Sequence, residues 1–197
     1  MNSLFKSCKV FLLLILIQQT ATAQADHIGE IKALQAHPRI LMLKGEEANI
    51  QLSISKDSVW ANTQQAIINE SDRLISIAPV QRIQIGRRLL DKSREALRRL
   101  FFLSYAYRTT ADKKYLNRAE KEMLAIAGFS DWNPSHFLDV AEMTMAVAIG
   151  YDWLYNDLSD ASKSIIKEAI FGVMKLIRVC LDQKHLAQLM AVQLQEF

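Results

Sequence analysis

The scarcity of helix-breaking residues is the feature that most constrains how this sequence can fold. Six glycines and three prolines stand among 197 residues, less than half of the roughly 12% that these two residues usually contribute. Leu, Ile, Ala, Lys and Arg are abundant, and with so few breakers they favour long helices over the turn-rich strands of a sandwich or barrel. Cys8 and Cys180 lie far apart, which excludes a disulfide scaffold and a cysteine-rich zinc module. We therefore expect an all-α protein.

Residues 1–25 have the pattern of a secretory signal peptide rather than of a buried N-terminal helix. Lys6 and Lys9 flank an uncharged apolar run that is too short for the about 20 residues of a membrane span. Small residues follow, and we expect cleavage after Ala23 or Ala25. The pattern predicts a bacterial periplasmic or secreted protein with no membrane association after cleavage. Loss of two of its 24 basic residues leaves the mature chain nearly neutral against 21 acidic ones, so its charge does not favour nucleic-acid binding.

Apolar residues at helical spacing predict a succession of helices after this segment. Asp57 or Ser58, Asp112, Asn133 and Ser159 are the expected N-caps, and Gly128 is placed where a helix would end. The predicted helices span residues 46–53, 59–78, 81–108, 113–127, 134–155 and from 160 to 181 or beyond.

A weak internal repeat joins these helices. Residues 103–107 align with residues 149–153, and Lys121-Glu122 aligns with Lys167-Glu168 at the same interval of 46 residues. Each unit consists of a helix, a short link and a second helix. A repeat of this length is typical of stacked helical hairpins, which form an α-solenoid or an α/α toroid.

The basic stretch at residues 87–99 is the first candidate functional feature. It could present a surface to an acidic polymer. The alternative is a solvated helix face, which the sequence favours because Asp91 and Glu95 can form ion pairs with arginines one turn away.

The second candidate is a cluster of Trp132, Asn133 and His136 at a predicted helix N-terminus. An aromatic ring can cover the apolar face of a sugar, Asn and His supply directional hydrogen bonds, and a helix N-terminus favours an anion. The same residues could instead cap the helix and pack its preceding loop. Asp139 and Glu142, three residues apart, fit either an acid/base pair or a salt-bridged helix.

A longer run that contains this cluster resembles the heparinase II/III-like family of polysaccharide lyases. The resemblance is carried by residues 132–144 and 148–155 and by the His-Pro-Arg-Ile sequence at residues 37–40. It extends over about residues 36–176. Members of the family have an N-terminal α/α toroid followed by antiparallel β-sheet domains, and they cleave acidic polysaccharides by β-elimination.

The resemblance implies a mechanism whose catalytic residues this chain does not supply. In the family an Asn or His neutralises the uronate carboxylate, a Tyr or His removes the C5 proton, and a Tyr protonates the leaving O4. The segment that carries these groups normally follows the last hairpin found here. We therefore assign no catalytic residue, expect neither a metal nor a cofactor, and expect no activity from the chain alone.

The resemblance also implies the arrangement and partners of the mature chain. Residues 26–197 are expected to form an incomplete α/α toroid, with residues 178–197 as an aberrant tail. The expected partner is an acidic polysaccharide or oligosaccharide, and Trp132, Asn133 and His136 are expected to line its binding cleft. A non-enzymatic helical-repeat protein and a fragment of a toroid-type glycoside hydrolase, which would need two carboxylates across its cavity, remain as alternatives.

Overall fold

The regular secondary structure of the described part of the chain is α-helical. This structure is a computed structural model that describes residues 36–194, and the side chains of residues 36–176, 178 and 179 among them. The predicted signal peptide and its cleavage sites lie outside this range. Within residues 36–194 there are six α-helices and no β-strand, which confirms the all-α prediction. The helices are α1 (Glu46–Lys56), α2 (Ser58–Ile75), α3 (Leu90–Thr110), α4 (Lys113–Ala127), α5 (Phe137–Leu154) and α6 (Asp160–Leu194). None of these six helices is both long enough and apolar enough to cross a bilayer.

Most of the helix ends follow from local side-chain chemistry. Asp57 and Asp112 each accept a hydrogen bond from a backbone N–H two residues on, at 2.7 and 3.0 Å, and so cap α2 and α4 as predicted. Ser159 accepts from the N–H of residue 162 at 3.1 Å at the start of α6. Gly128 follows the last residue of α4, and its N–H donates to a carbonyl of that helix.

The predicted helix over residues 81–108 is wrong at its N-terminal end, because α3 begins only at Leu90. Gly86 has a φ of +60°, a left-handed conformation that glycine adopts readily. Ile85 and Arg88 exchange two backbone hydrogen bonds of 2.9 and 3.1 Å around it, which closes a tight turn. Residues 79–89 therefore form an irregular connection that the apolar spacing did not reveal.

The helices α3 and α5 lie side by side and run in the same direction. Their starts meet where the N–H of Leu89 reaches Asp139. Further along, Phe101 in the middle of α3 packs edge-to-face on Trp153 near the end of α5, with ring centroids 5.7 Å apart. In the second layer α4 contacts α6. Gly150 permits close packing between the layers, because a Cβ there would lie 2.8 Å from the sulfur of Met123.

A buried ion pair fixes the connection between α2 and α3. Glu122 is fully buried and lies 2.5 Å from Arg118 one turn earlier on α4. The same carboxylate accepts the N–H of Val80 at 2.8 Å, and Arg118 donates to the carbonyls of Leu74 and Ile77 at 3.0 and 2.9 Å. The pair thus satisfies backbone groups of a non-helical segment, which is the usual requirement for burying such groups.

Candidate functional site

Trp132 lies in the main core of the protein. It is 2% exposed, and its indole N–H donates to the carbonyl of Ile126 at 3.1 Å. A ring that is almost wholly buried and has its donor satisfied offers little surface to a ligand. In this structure Trp132 therefore packs the loop before α5 against α4, which is the packing role weighed as the alternative.

Asn133 joins two loops instead of capping a helix. It is 5% exposed and has a φ of +60°. Its side-chain amide donates to the carbonyl of Arg87 at 2.8 Å and to Asp139 at 2.6 Å. The prediction that Asn133 caps a helix starting at residue 134 is wrong, because this amide is turned towards the α3 connection and α5 begins at Phe137.

Asp139 is the buried centre of this junction. Its carboxylate is fully buried, and one oxygen accepts both the amide of Asn133 and the N–H of Leu89, the latter at 2.7 Å. The other oxygen has no hydrogen-bond partner among the described residues. Glu142, one turn on, instead forms an ion pair of 3.2 Å with Arg94 of α3. The two acids therefore tie α5 to α3 and do not face a common substrate position.

A second contact holds the same two loops together at the surface. Arg82 of the α3 connection lies 2.7 Å from Asp131 and also donates to its carbonyl at 3.1 Å. Burial alone would raise the pKa of Asp131, but hydrogen bonds from Arg82 and from the N–H of Asn133, together with the arginine charge, hold that pKa below its ordinary value. Asp131 therefore stays ionised and keeps the loops joined.

These contacts bring together the N-terminus of α5, which carries His136, and the N-terminus of α3, which Arg87 and Arg88 precede. His136 is half-buried at the N-terminus of α5, and its side chain makes no capping hydrogen bond. Arg87 and Arg88 are exposed, and neither pairs with a carboxylate of the described residues. We call Arg87, Arg88, His136 and the first turns of α3 and α5 the cationic end.

The other arginines of the basic stretch, Arg94, Arg98 and Arg99, pair with acids, whereas Lys92 makes no ion pair with the described residues. Arg98 and Arg99 both pair with Glu95, at 2.8 and 2.7 Å, as the sequence predicted, and Arg98 also pairs with Glu70 of α2. The hydrogen bonds that Arg98 donates to Glu95 and Glu70, together with the charges of those carboxylates, raise the pKa of Arg98. The stretch thus divides into a paired part along α3 and an unpaired part at its N-terminal end.

A histidine–carboxylate pair lies near the opposite end of α5. Nδ1 of His37 is 2.5 Å from Asp152, which is buried and also accepts the N–H groups of Arg39 and Ile40 at 2.8 and 2.9 Å. The imidazole stacks on Tyr155 at a centroid distance of 4.0 Å, and its Nε2 faces the Arg39 guanidinium. Because both ring nitrogens are occupied, this clasp holds residues 37–40 in place and is not poised for proton transfer.

An aromatic groove of about 420 Å³ lies next to this clasp. Its lining comes from the segment before α1 and from α1, α2, α3 and α5. We call it the aromatic groove and define it by Leu41, Met42, Glu46, Asn49, Ile50, Ser53, Trp60, Phe101, Tyr105 and Trp153. The sequence analysis missed it, because five separate segments supply these residues and no single stretch carries the pattern.

No cluster of three or more metal-ligating side chains occurs among the residues described. Comparison of the sequence with models of known protein families gives no match. A search against curated proteins gives no significant match either. The functional interpretation therefore depends on the geometry above and on the motifs of the sequence.

Proposed function

We propose that this chain is the N-terminal part of a secreted lyase that cleaves acidic, uronate-containing polysaccharides by β-elimination, and that its cationic end contacts the polymer. One observation carries the proposal: the α3 connection and the loop before α5 are bonded together, so that Arg87, Arg88 and His136 lie at two adjacent helix N-termini. Guanidinium groups bind carboxylates in a bidentate manner, and helix N-termini add a favourable partial charge.

The contacts between helices support an incomplete α/α toroid as the architecture. The first helices of two successive hairpins, α3 and α5, pack together, and so do the second helices, α4 and α6. This is the neighbour relation that stacked hairpins require. Exposed apolar side chains on the last pair, among them Leu138 and Met145 of α5 and Phe171 of α6, are consistent with a further hairpin beyond α5 and α6.

Within this proposal the three residues first assigned to the cleft divide into two roles. His136 and the two arginines contact the polymer, with the arginines neutralising its carboxylates. Trp132 and Asn133 act beneath them as positioning residues, since their hydrogen bonds fix the loops that carry the charges. Neutralisation of a uronate carboxylate acidifies its C5 proton, and groups outside this chain would carry out the proton transfers.

A binding screen tests the proposal. The mature chain is titrated with alginate, heparan-type and chondroitin-type polymers and with uncharged dextran, and ultraviolet absorbance follows formation of an unsaturated uronate. We expect binding to at least one acidic polymer that weakens as salt is added, and no absorbance increase from this chain alone. Dextran shows how much binding is owed to uncharged sugar rather than to carboxylates. Binding to none of the three acidic polymers, or acidic-polymer binding that salt does not weaken, would contradict the proposal. If the chain bound another protein and no polysaccharide, the non-enzymatic helical-repeat alternative would be favoured instead.

A further inference from the structure

The aromatic groove lies at the end of α3 and α5 opposite to the cationic end, and its residues take no part in the proposed function. Trp60 and Leu41 are its most exposed lining side chains, at 52% and 66%, whereas Trp153 lies deep at 8%. We infer that this groove is a second carbohydrate site, which binds an uncharged pyranose unit. The inference does not rest on the lyase proposal.

Three of the four aromatic rings of the groove, all except Trp60, are fixed before any ligand arrives. Phe101 meets Trp153 edge-to-face at an interplanar angle of 89°. The hydroxyl of Tyr105 donates to the side-chain oxygen of Gln64 at 2.6 Å, which fixes that ring as well. A rigid aromatic surface offers contact area without the loss of side-chain freedom that binding otherwise costs. It can cover the flat apolar face of a sugar ring.

The remaining wall is held in an unfavourable conformation by the neighbouring clasp. Leu41 has a φ of +59°, a region that costs a non-glycine residue free energy. Asp152 accepts the N–H of Ile40 just before it, and Arg108 donates to the carbonyls of Met42 and Leu43 just after it. An exposed leucine kept in such a conformation by surrounding bonds is a feature that strained sites commonly show.

Polar groups with unused hydrogen-bonding capacity border the rings. Asn49 is exposed, and its side-chain amide makes no hydrogen bond to the described residues, so that one donor group and one acceptor are available together. The indole N–H of Trp60 likewise has no partner among them. An amide beside an aromatic ring can bind two adjacent hydroxyls while the ring covers the sugar face.

Charge, size and backbone geometry select the class of ligand. Glu46 is the only charged residue of the lining, and the nearby Arg108, 5.4 Å from the Trp153 ring centroid, is paired with Glu47. The groove therefore offers no unpaired cation, which disfavours a uronate and favours an uncharged sugar. A volume of about 420 Å³ falls in the range of small-ligand sites, roughly 300–1,000 Å³. A groove of this volume is too small to hold a peptide helix. An extended peptide would need free backbone groups along an edge, and the walls formed by α1 and α2 are helices whose backbone bonds are internal.

Titration of the mature chain with uncharged hexasaccharides of glucose, mannose and xylose tests the inference. Tryptophan fluorescence and calorimetry report binding, and a glucuronate oligomer serves as the charged probe. We expect saturable binding of at least one uncharged oligomer and about tenfold weaker binding of the uronate. Trp60→Ala should weaken binding about tenfold or more, as removal of a central aromatic contact commonly does, and Asn49→Ala should weaken it several-fold.

Phe171→Ala is the matched control, because Phe171 is 50% exposed and lies on α6, outside the groove. It should leave sugar affinity unchanged, and circular dichroism should show all variants folded. The inference is overturned if no uncharged oligomer binds, if Trp60→Ala binds as the unaltered chain does, or if the uronate binds more tightly in a Trp60-dependent manner. Binding of an apolar dye that sugars do not displace would also overturn it.

Discussion

The contacts of Asp152 with His37, Arg39 and Ile40, called the clasp above, hold residues 37–40 on the helices. Substitution of Asp152 tests how strongly they do so. We predict that Asp152→Asn destabilises the protein, although the two side chains have nearly the same shape. The amide oxygen of asparagine can still accept the N–H groups of Arg39 and Ile40. Its NH₂ group, however, would face Nδ1 of His37, which now donates to the carboxylate at 2.5 Å.

The magnitude follows from the bonds lost. A hydrogen bond to a charged group contributes about 1.5–3 kcal/mol, and a donor facing a donor loses all of it. Arg39 also loses the negative charge that it faces. We therefore expect Asp152→Asn to lower the free energy of unfolding by about 2–3 kcal/mol. Asp152→Ala removes all three acceptor contacts and should cost about 4 kcal/mol. The loss of stability should not exceed this value, because residues 37–40 can detach from the helices and form hydrogen bonds to water instead.

Urea unfolding followed by circular dichroism measures this effect. With a urea dependence of about 2 kcal/mol/M for a domain of this size, Asp152→Asn should shift the midpoint by about 1 M or more. Trypsin should also cleave faster after Lys44, which follows the clasp. Glu168→Gln is the control, since Glu168 is exposed on α6 and makes no ion pair with the described residues. Equal midpoints for the two amide variants would refute the reasoning.

Three further outcomes are expected. Trp132→Ala should lower the free energy of unfolding by about 3–5 kcal/mol in urea, whereas the half-exposed Trp60→Ala should lower it far less; similar losses would contradict the burial assigned here. Hydrogen bonds from two arginines lower the pKa of Glu70 from 4.5 to about 2, so stability should fall as pH drops from about 5 to 2, and Glu70→Gln should flatten that part of a pH–stability curve. N-terminal sequencing of exported protein should find cleavage after Ala23 or Ala25, and an uncleaved N-terminus would count against export.

The features of the fold that were predictable are those set by neighbouring residues. Asp57 and Asp112 each cap a helix by accepting the N–H two residues further on, so their local sequence is sufficient. The start of α3 was not predictable in this way. It depends on a left-handed Gly86 and on Asp139, a residue 50 positions away, whose carboxylate takes the N–H that a continuous helix would have used.

The candidate site shows a similar division. Residues 131–136, which the sequence singled out, border the cationic end in the structure, and their place in a binding site stays a prediction. The sequence could not decide whether Trp132 stacks on a sugar or packs in the core, because an aromatic residue before a helix has the same sequence pattern in both cases. Arg87 and Arg88 were visible as part of a basic stretch, but only the ion pairs of Glu95 and Glu142 reveal which arginines remain unpaired.

The central claim, that the cationic end binds an acidic polysaccharide, is tested most directly by the salt dependence of binding. The affinity of the unaltered chain for its preferred acidic polymer is compared with that of Arg87→Gln/Arg88→Gln and of the charge-matched control Lys113→Gln/Lys121→Gln, on α4. We predict that only the arginine variant loses affinity, by about tenfold or more at low salt, with a shallower decline as salt rises. Equal affinities and equal salt slopes for the two double variants would contradict the account.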